Sequence, residues 1–220
     1  SDFDELSRAV PLLARVYPNG QADINHFHAA GGTGFLFDQL MQHGLMHSDA
    51  QTIWGQSLAD YASEPQFIDG KLSWRPSVKQ SLDPEVLTGV LEPFDPEGGL
   101  RLLTGNLGRG VIKISAVAPQ HRQVRAQAVV IEDQHALQEK FDAGELSRDC
   151  VVVVRFQGPQ ANGMPERHKL TPILGVLQDR GHAIALVTDG RMSGASGKVP
   201  AAIHITPEAC QGGPLARIRN

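Results

Sequence analysis

Two loops of this chain carry side chains that could do chemistry. The first, FQGPQANGMPE over 156–166, contains the turns Gly158-Pro159 and Gly163-Met164-Pro165 and delivers Glu166 just beyond an apolar, strand-like run. A carboxylate placed there can bind a cation. It can also simply favour the dipole of the helix expected from Leu170 onward. The second loop, DGRMSGASGK over 189–198, follows the apolar run IALVT and has more glycine and serine than a corner needs. Ser193 lies there among backbone N–H groups with Arg191 nearby, a setting that favours an alkoxide or binds a carboxylate or phosphate. The same serine also reads as a helix cap or turn residue.

Common motifs fail on these residues. A phosphate-cradling loop ending at Gly197-Lys198 needs glycine where Met192 stands and Ser or Thr where Val199 stands. A nucleophile elbow needs glycines two residues either side of its serine, and neither Ser193 nor Ser196 has both. The GNLGRG run at 105–110 has no helix after it, so a hairpin turn is the better reading than a dinucleotide fingerprint.

The elements that must position the two loops follow from hydrophobic period. Leu6, Val10, Leu13 and Val16 recur at helical spacing over 4–16, and 23–43 reads as two helices broken at Gly31-Gly32. From about residue 54 to 96, Pro, Ser, Gly and Asp predominate and predict an extended connector. After Gly98-Gly99 the pattern predicts strands at 111–117, 124–131, 150–156, 182–188 and 201–206, with helices at 134–143 and 170–180. The start of one more strand is expected at 215–219. Because the chain stops there without a terminating turn, it reads as a piece of a longer polypeptide.

Composition bounds the partners. With 220 residues, 41% of them hydrophobic, the chain can bury a sizeable core in one or two domains. A net charge of -4 and scattered Lys and Arg give no basic stripe, which argues against nucleic acid. No apolar run is long enough to span a bilayer and the first residues are acidic, so no membrane role is read and the cytoplasm is expected. Cys150 and Cys210 belong to no CxxC pair and are expected to be buried, small and apolar.

Longer segments carry a resemblance. GPQANGMPE (158–166), LVTDGRMSGASGKVPAAIHITPEA (186–209) and GGPLARI (212–218) look like the C-terminal part of the dihydroxy-acid/6-phosphogluconate dehydratase family. DFDELSRAVPLLARVYPNG (2–20), HAAGG (28–32) and FDPEGGLRLLTGNLG (94–108) match the same family in order, so nearly the whole chain is covered. The long MSGASGKVPAAIH version is most similar to the branch acting on 6-phosphogluconate.

The resemblance implies an α/β fold in which residues 1–60 are the helical C-terminal edge of a larger α/β domain. Residues 61–97 are then a connector, and 98–220 a swivelling, barrel-like β/β/α domain truncated at its C-terminus. It implies a hydro-lyase that takes the C2 proton and C3 hydroxyl from a sugar acid, using an iron–sulfur cluster and Mg2+. By the resemblance Glu166 is a magnesium ligand and Ser193 the base at C2. Arg191, Gly194 and Lys198 are assigned to the substrate's carboxylate or phosphate, although Arg191 could pair with Asp189 and Lys198 could be solvated. The cluster ligands are expected upstream of Ser1, with none in this chain, so the piece alone is expected to be inactive. A homodimer is expected. Alternatives are a relative acting on another sugar acid or a branched-chain dihydroxy acid, or a purely structural, dimerising module.

Overall fold

The computed structural model describes residues 2–55, 57–167, 169–192 and 197–220. They form two compact units, essentially Asp4–Gly98 and Gly99–Asn220.

In the first unit, helix α1 (Asp2–Ala9) stops well short of residue 16. Pro11 disfavours helical backbone at Val10, and the chain then runs extended, pairing Leu12 with Asp95 and Ala14 with Leu87. That route buries Leu13 and Leu87, which is why the apolar residues of this stretch had mimicked a helix. Helices α2 (Ile24–Ala30) and α3 (Gly32–Gln42) meet at Gly31, whose φ of 136° is open to glycine and costly for other residues. Asp23 caps α2 by accepting from the Asn25 and His26 amides. The stretch expected to be an extended connector contains an antiparallel hairpin, β1 (Ser63–Ile68) and β2 (Lys71–Pro76), reversed at Asp69-Gly70.

The second unit is a six-stranded mixed sheet in the order β3-β4-β8-β7-β6-β5. The strands are β3 (Leu100–Gly105), β4 (Gly108–Lys113), β5 (Gln127–Ile131), β6 (Cys150–Val154), β7 (Ile184–Thr188) and β8 (Ala201–Thr206). Strands β5 to β8 run parallel, and β3-β4 form the hairpin that GNLGRG predicts, joined antiparallel to β8. Parallel strands need covered faces, and the alternation in β6 shows how both are covered. Cys150, Val152 and Val154 point into a core closed by helices α4 (Gln134–Asp142) and α6 (Leu170–Asp179). Val153 points the other way, into a cluster with Ile205, Ala209 and Leu215.

Further expectations are corrected. The sheet is open, with β3 and β5 at its edges, and no closed barrel is formed among the described residues. Closure would require those edges to pair, whereas the peptide beside β5 is the C-terminal tail: the Val130 amide donates to the Asn220 side chain at 2.6 Å. The strand expected at 215–219 is instead a 3-10 turn, Pro214–Arg217. Proline starts it, and Leu215 is fully buried beneath the sheet. Cys150 is buried as expected, but Cys210 is exposed on a surface turn. No helix among the described residues is long and apolar enough to cross a membrane.

Candidate functional site

Neighbouring parallel strands release their loops at the same end of a sheet, and α/β proteins bind ligands at those carboxyl ends. Strands β6 and β7 finish together at the pair Val154 and Thr188. The loop after β6 turns at Phe156, with a φ of 59°, and runs through the single turn α5 (Pro159–Asn162). It reverses at Gly163 and Met164, both in the left-handed region, and reaches Glu166. The loop after β7 opens with Asp189-Gly190-Arg191.

The two loops join at Glu166 and Arg191. Their backbones form an isolated parallel bridge, and the Arg191 guanidinium lies 3.5 Å from a Glu166 carboxylate oxygen. Arg191 Nε also donates to the Met164 carbonyl at 2.8 Å, so one cation ties both loops. Both side chains keep contact with solvent, 33% exposed for Glu166 and 51% for Arg191. The carboxylate is therefore held in place yet reachable.

Asp189, the partner also considered for Arg191, is otherwise engaged. It is fully buried and accepts from the Gln157 and Ala209 amides, each at 2.9 Å. Buried Gln157 continues the network, accepting from Asn162 and Arg167 and donating to the Glu132 carbonyl. Gly190 has no side chain because a Cβ there would sit 2.7 Å from that of Gln157. Ser193 and Gly194 lie outside the described residues. Lys198 stands apart: its ammonium bonds both oxygens of Asp179, the last residue of α6, at 2.6 and 2.7 Å.

Sequence reasoning missed three groups that line the adjoining cleft of about 400 Å³: Asp189, His204 and Glu208. Glu208 is buried and accepts from the Gln160 amide at the start of α5. His204 belongs to β8 but has a φ of 55°, and its pKa is held below the ordinary histidine value by desolvation and then by the charge of Arg191. Signals existed for two of them. A polar residue directly after an apolar parallel strand, like Asp189, is a standard site position. An acid one step past Pro207 is likewise presented by a turn.

Glu166 offers the hard oxygen donor that magnesium prefers, but no cluster of three or more His, Cys, Asp or Glu able to hold a metal occurs among the described residues. One carboxylate of the kind such a shell uses stands at the junction of the two loops. Cys150 lies inside the core and burial raises its pKa, so its thiol stays protonated and is poorly suited to ligate iron.

Comparison with known proteins assigns this architecture. Residues 85–220 match the model of the dihydroxy-acid/6-phosphogluconate dehydratase C-terminal domain, and residues 1–61 match that of the N-terminal domain. Over 219 residues and its full length the chain is 64% identical to phosphogluconate dehydratase of Pseudomonas aeruginosa and 57% identical to that of Escherichia coli strain K12. A dihydroxy-acid dehydratase of Ignicoccus hospitalis is 34% identical over 99% of the chain. In the two phosphogluconate dehydratases the chain spans only 36% of the relative's length. The chain belongs to the dihydroxy-acid/6-phosphogluconate dehydratase family.

Proposed function

We propose that this chain is the C-terminal part of a hydro-lyase that converts 6-phospho-D-gluconate to 2-dehydro-3-deoxy-6-phosphogluconate and water, the dehydration step of the Entner–Doudoroff pathway. The observation that carries the proposal is the joining of Glu166 and Arg191 across two strand ends, in a chain 64% identical to one phosphogluconate dehydratase. The much lower identity to a dihydroxy-acid dehydratase, 34%, favours the phosphorylated sugar acid over a branched-chain dihydroxy acid.

The reaction breaks the C2–H and C3–OH bonds. The proton next to the carboxylate is weakly acidic and hydroxide is a poor leaving group, so both charges need stabilisation. When bound, an iron–sulfur cluster and Mg2+ would supply that Lewis acidity, at the departing hydroxyl and at the carboxylate end respectively. Glu166 is the ligand this chain contributes to magnesium. Arg191 holds the Glu166 carboxylate in orientation and adds positive charge where an anionic substrate arrives. Ser193 takes the C2 proton, and the Gly194 amide helps to hold the substrate's anionic end. The resulting enol tautomerises to the 2-keto product. Lys198 reaches the phosphate by leaving Asp179, a solvent-exposed pair worth about 0–1 kcal/mol and therefore easily exchanged. The complete enzyme works in the cytoplasm as a homodimer.

The test is Glu166→Gln in the full-length enzyme, which keeps the shape and removes the charge. It should raise the Mg2+ concentration for half-maximal binding, measured by Mn2+ substitution and electron paramagnetic resonance. Turnover of 6-phosphogluconate should fall at least about a hundredfold, as when a transition-state electrostatic contact is lost. Unchanged metal affinity and turnover would sink the assignment.

A further inference from the structure

Strand β8 contains an irregularity that regular pairing does not require. Arg109 pairs with Thr206 and Val111 with Ile203, so His204 and Ile205 together oppose the single residue Gly110. This is a β-bulge, a device that re-aims one side chain. Gly110 makes room for it, since a Cβ there would press on the Ile203 carbonyl and the Ile205 side chain at 3.1 Å. Ile205 turns into the core, 5% exposed, while His204 adopts a left-handed φ of 55°. Its amide leaves the ladder and donates to the Gly190 carbonyl at 2.9 Å. The backbone of His204 is thereby fastened to the residue before Arg191.

The re-aimed imidazole lines the cleft of about 400 Å³ together with Asp189, Glu208, Gln160, Thr206 and Gln211. That volume falls in the range of small-molecule sites. Its chemistry is selective. Asp189 is spent on two backbone amides, but Glu208 brings a carboxylate to the wall, which repels a phosphate or carboxylate and accepts from hydroxyls. Gln160, Gln211 and Thr206 both donate and accept. A neutral imidazole has one donor and one acceptor nitrogen, the same complement as an alcohol.

We propose that this cleft is the subsite for the hydroxylated carbon chain of the substrate, and that His204, presented by the bulge, is a specificity-determining contact to a substrate hydroxyl. The inference rests on the sugar-acid reading above and deepens it: the anionic end lies at Glu166 and Arg191, and the uncharged polyol part beside His204.

The experiment is a cycle between enzyme and substrate in the full-length enzyme. His204→Gly removes the side chain at a backbone position glycine adopts freely, and His204→Asn tolerates the same φ while keeping a donor and an acceptor. Each variant is assayed with 6-phosphogluconate and with its 4-deoxy and 5-deoxy analogues. With the parent substrate, His204→Gly should lower kcat/KM about tenfold, and His204→Asn should recover part of that loss. With the analogue lacking the contacted hydroxyl, wild type and His204→Gly should become equal. Equal losses on all three substrates, or no loss on any, would overturn the proposal. If His204→Gly does not fold, the cycle is run with His204→Asn on the same criteria. Glu166→Gln in parallel separates the two readings: a dead Glu166 variant beside indifferent His204 variants defeats the subsite alone.

Discussion

The loops beyond β6 and β7 and the β1-β2 hairpin are both chain reversals, yet they are held by different forces. The loops are organised from beneath by fully buried Asp189, which accepts two backbone amides, and by buried Gln157. Of the hairpin's two faces, one is anchored by nearly buried Glu64, which receives two bonds from Arg75 at 3.0 and 2.7 Å. The other face carries Pro65, Phe67, Leu72 and Trp74 in register, with Phe67 77% exposed. Its main stacking contact is Trp74 with Trp54, 4.2 Å between ring centroids. A side chain that must meet a substrate needs the first kind of support, because buried polar bonds specify one geometry where a half-exposed apolar face does not.

The largest effect should come from Asp189→Ala. It strips the acceptor from two amides, each costing about 1–3 kcal/mol when left unsatisfied. A loss of about 2–5 kcal/mol is expected in urea unfolding of Gly99–Asn220, with faster hydrogen exchange at the Gln157 and Ala209 amides. Unaltered exchange there would break the contrast. On the hairpin, Arg75→Ala should cost about 1–2 kcal/mol because Glu64 stays behind without its partner. Phe67→Ser should move the midpoint by no more than about 0.5 kcal/mol. Reversal of that order would mean that the apolar face, not the ion pair, secures the strands.

The smallest effect is a pH dependence at the α2 cap. The amide of His26 first, and then its side chain, hold the Asp23 pKa down at about 2 against an ordinary value of 3.8. A depressed carboxyl stabilises the fold fully above the unfolded value, and that contribution fades as the pH falls from 3.8 towards 2. The chemical shifts of the Asn25 and His26 amides should titrate in that window, and Asp23→Asn should abolish the titration. A midpoint near 3.8 in the parent protein would remove the capping assignment.

Much of the architecture was readable from residue order. The Gly31 break between α2 and α3, the GNLGRG hairpin, the apolar runs of β5 to β7 and helix α6 all follow from hydrophobic pattern and turn chemistry. So does family membership, because several long segments match in order. Two of the misreadings, the helix carried on to residue 16 and the strand at 215–219, share one cause. Leu13 and Leu215 are apolar because tertiary neighbours bury them, and a local pattern cannot tell that from a helical stripe or a strand. The site shows the same division. Glu166 and Arg191 could each be nominated from their loops, but their pairing joins positions 25 apart, and Asp189 was free on paper to take the arginine.

Residue types and their order determined that the chain after Gly99 runs through the strands β5 to β8, and which carboxylate, guanidinium and serine stand after β6 and β7. Only the folded sheet decided the rest: that β6 and β7 lie side by side, that Asp189 is consumed by buried amides, and that a bulge turns His204 into the cleft. Local propensity acts over a few residues, whereas strand adjacency, desolvation and bulge register are settled by contacts between segments far apart in the chain.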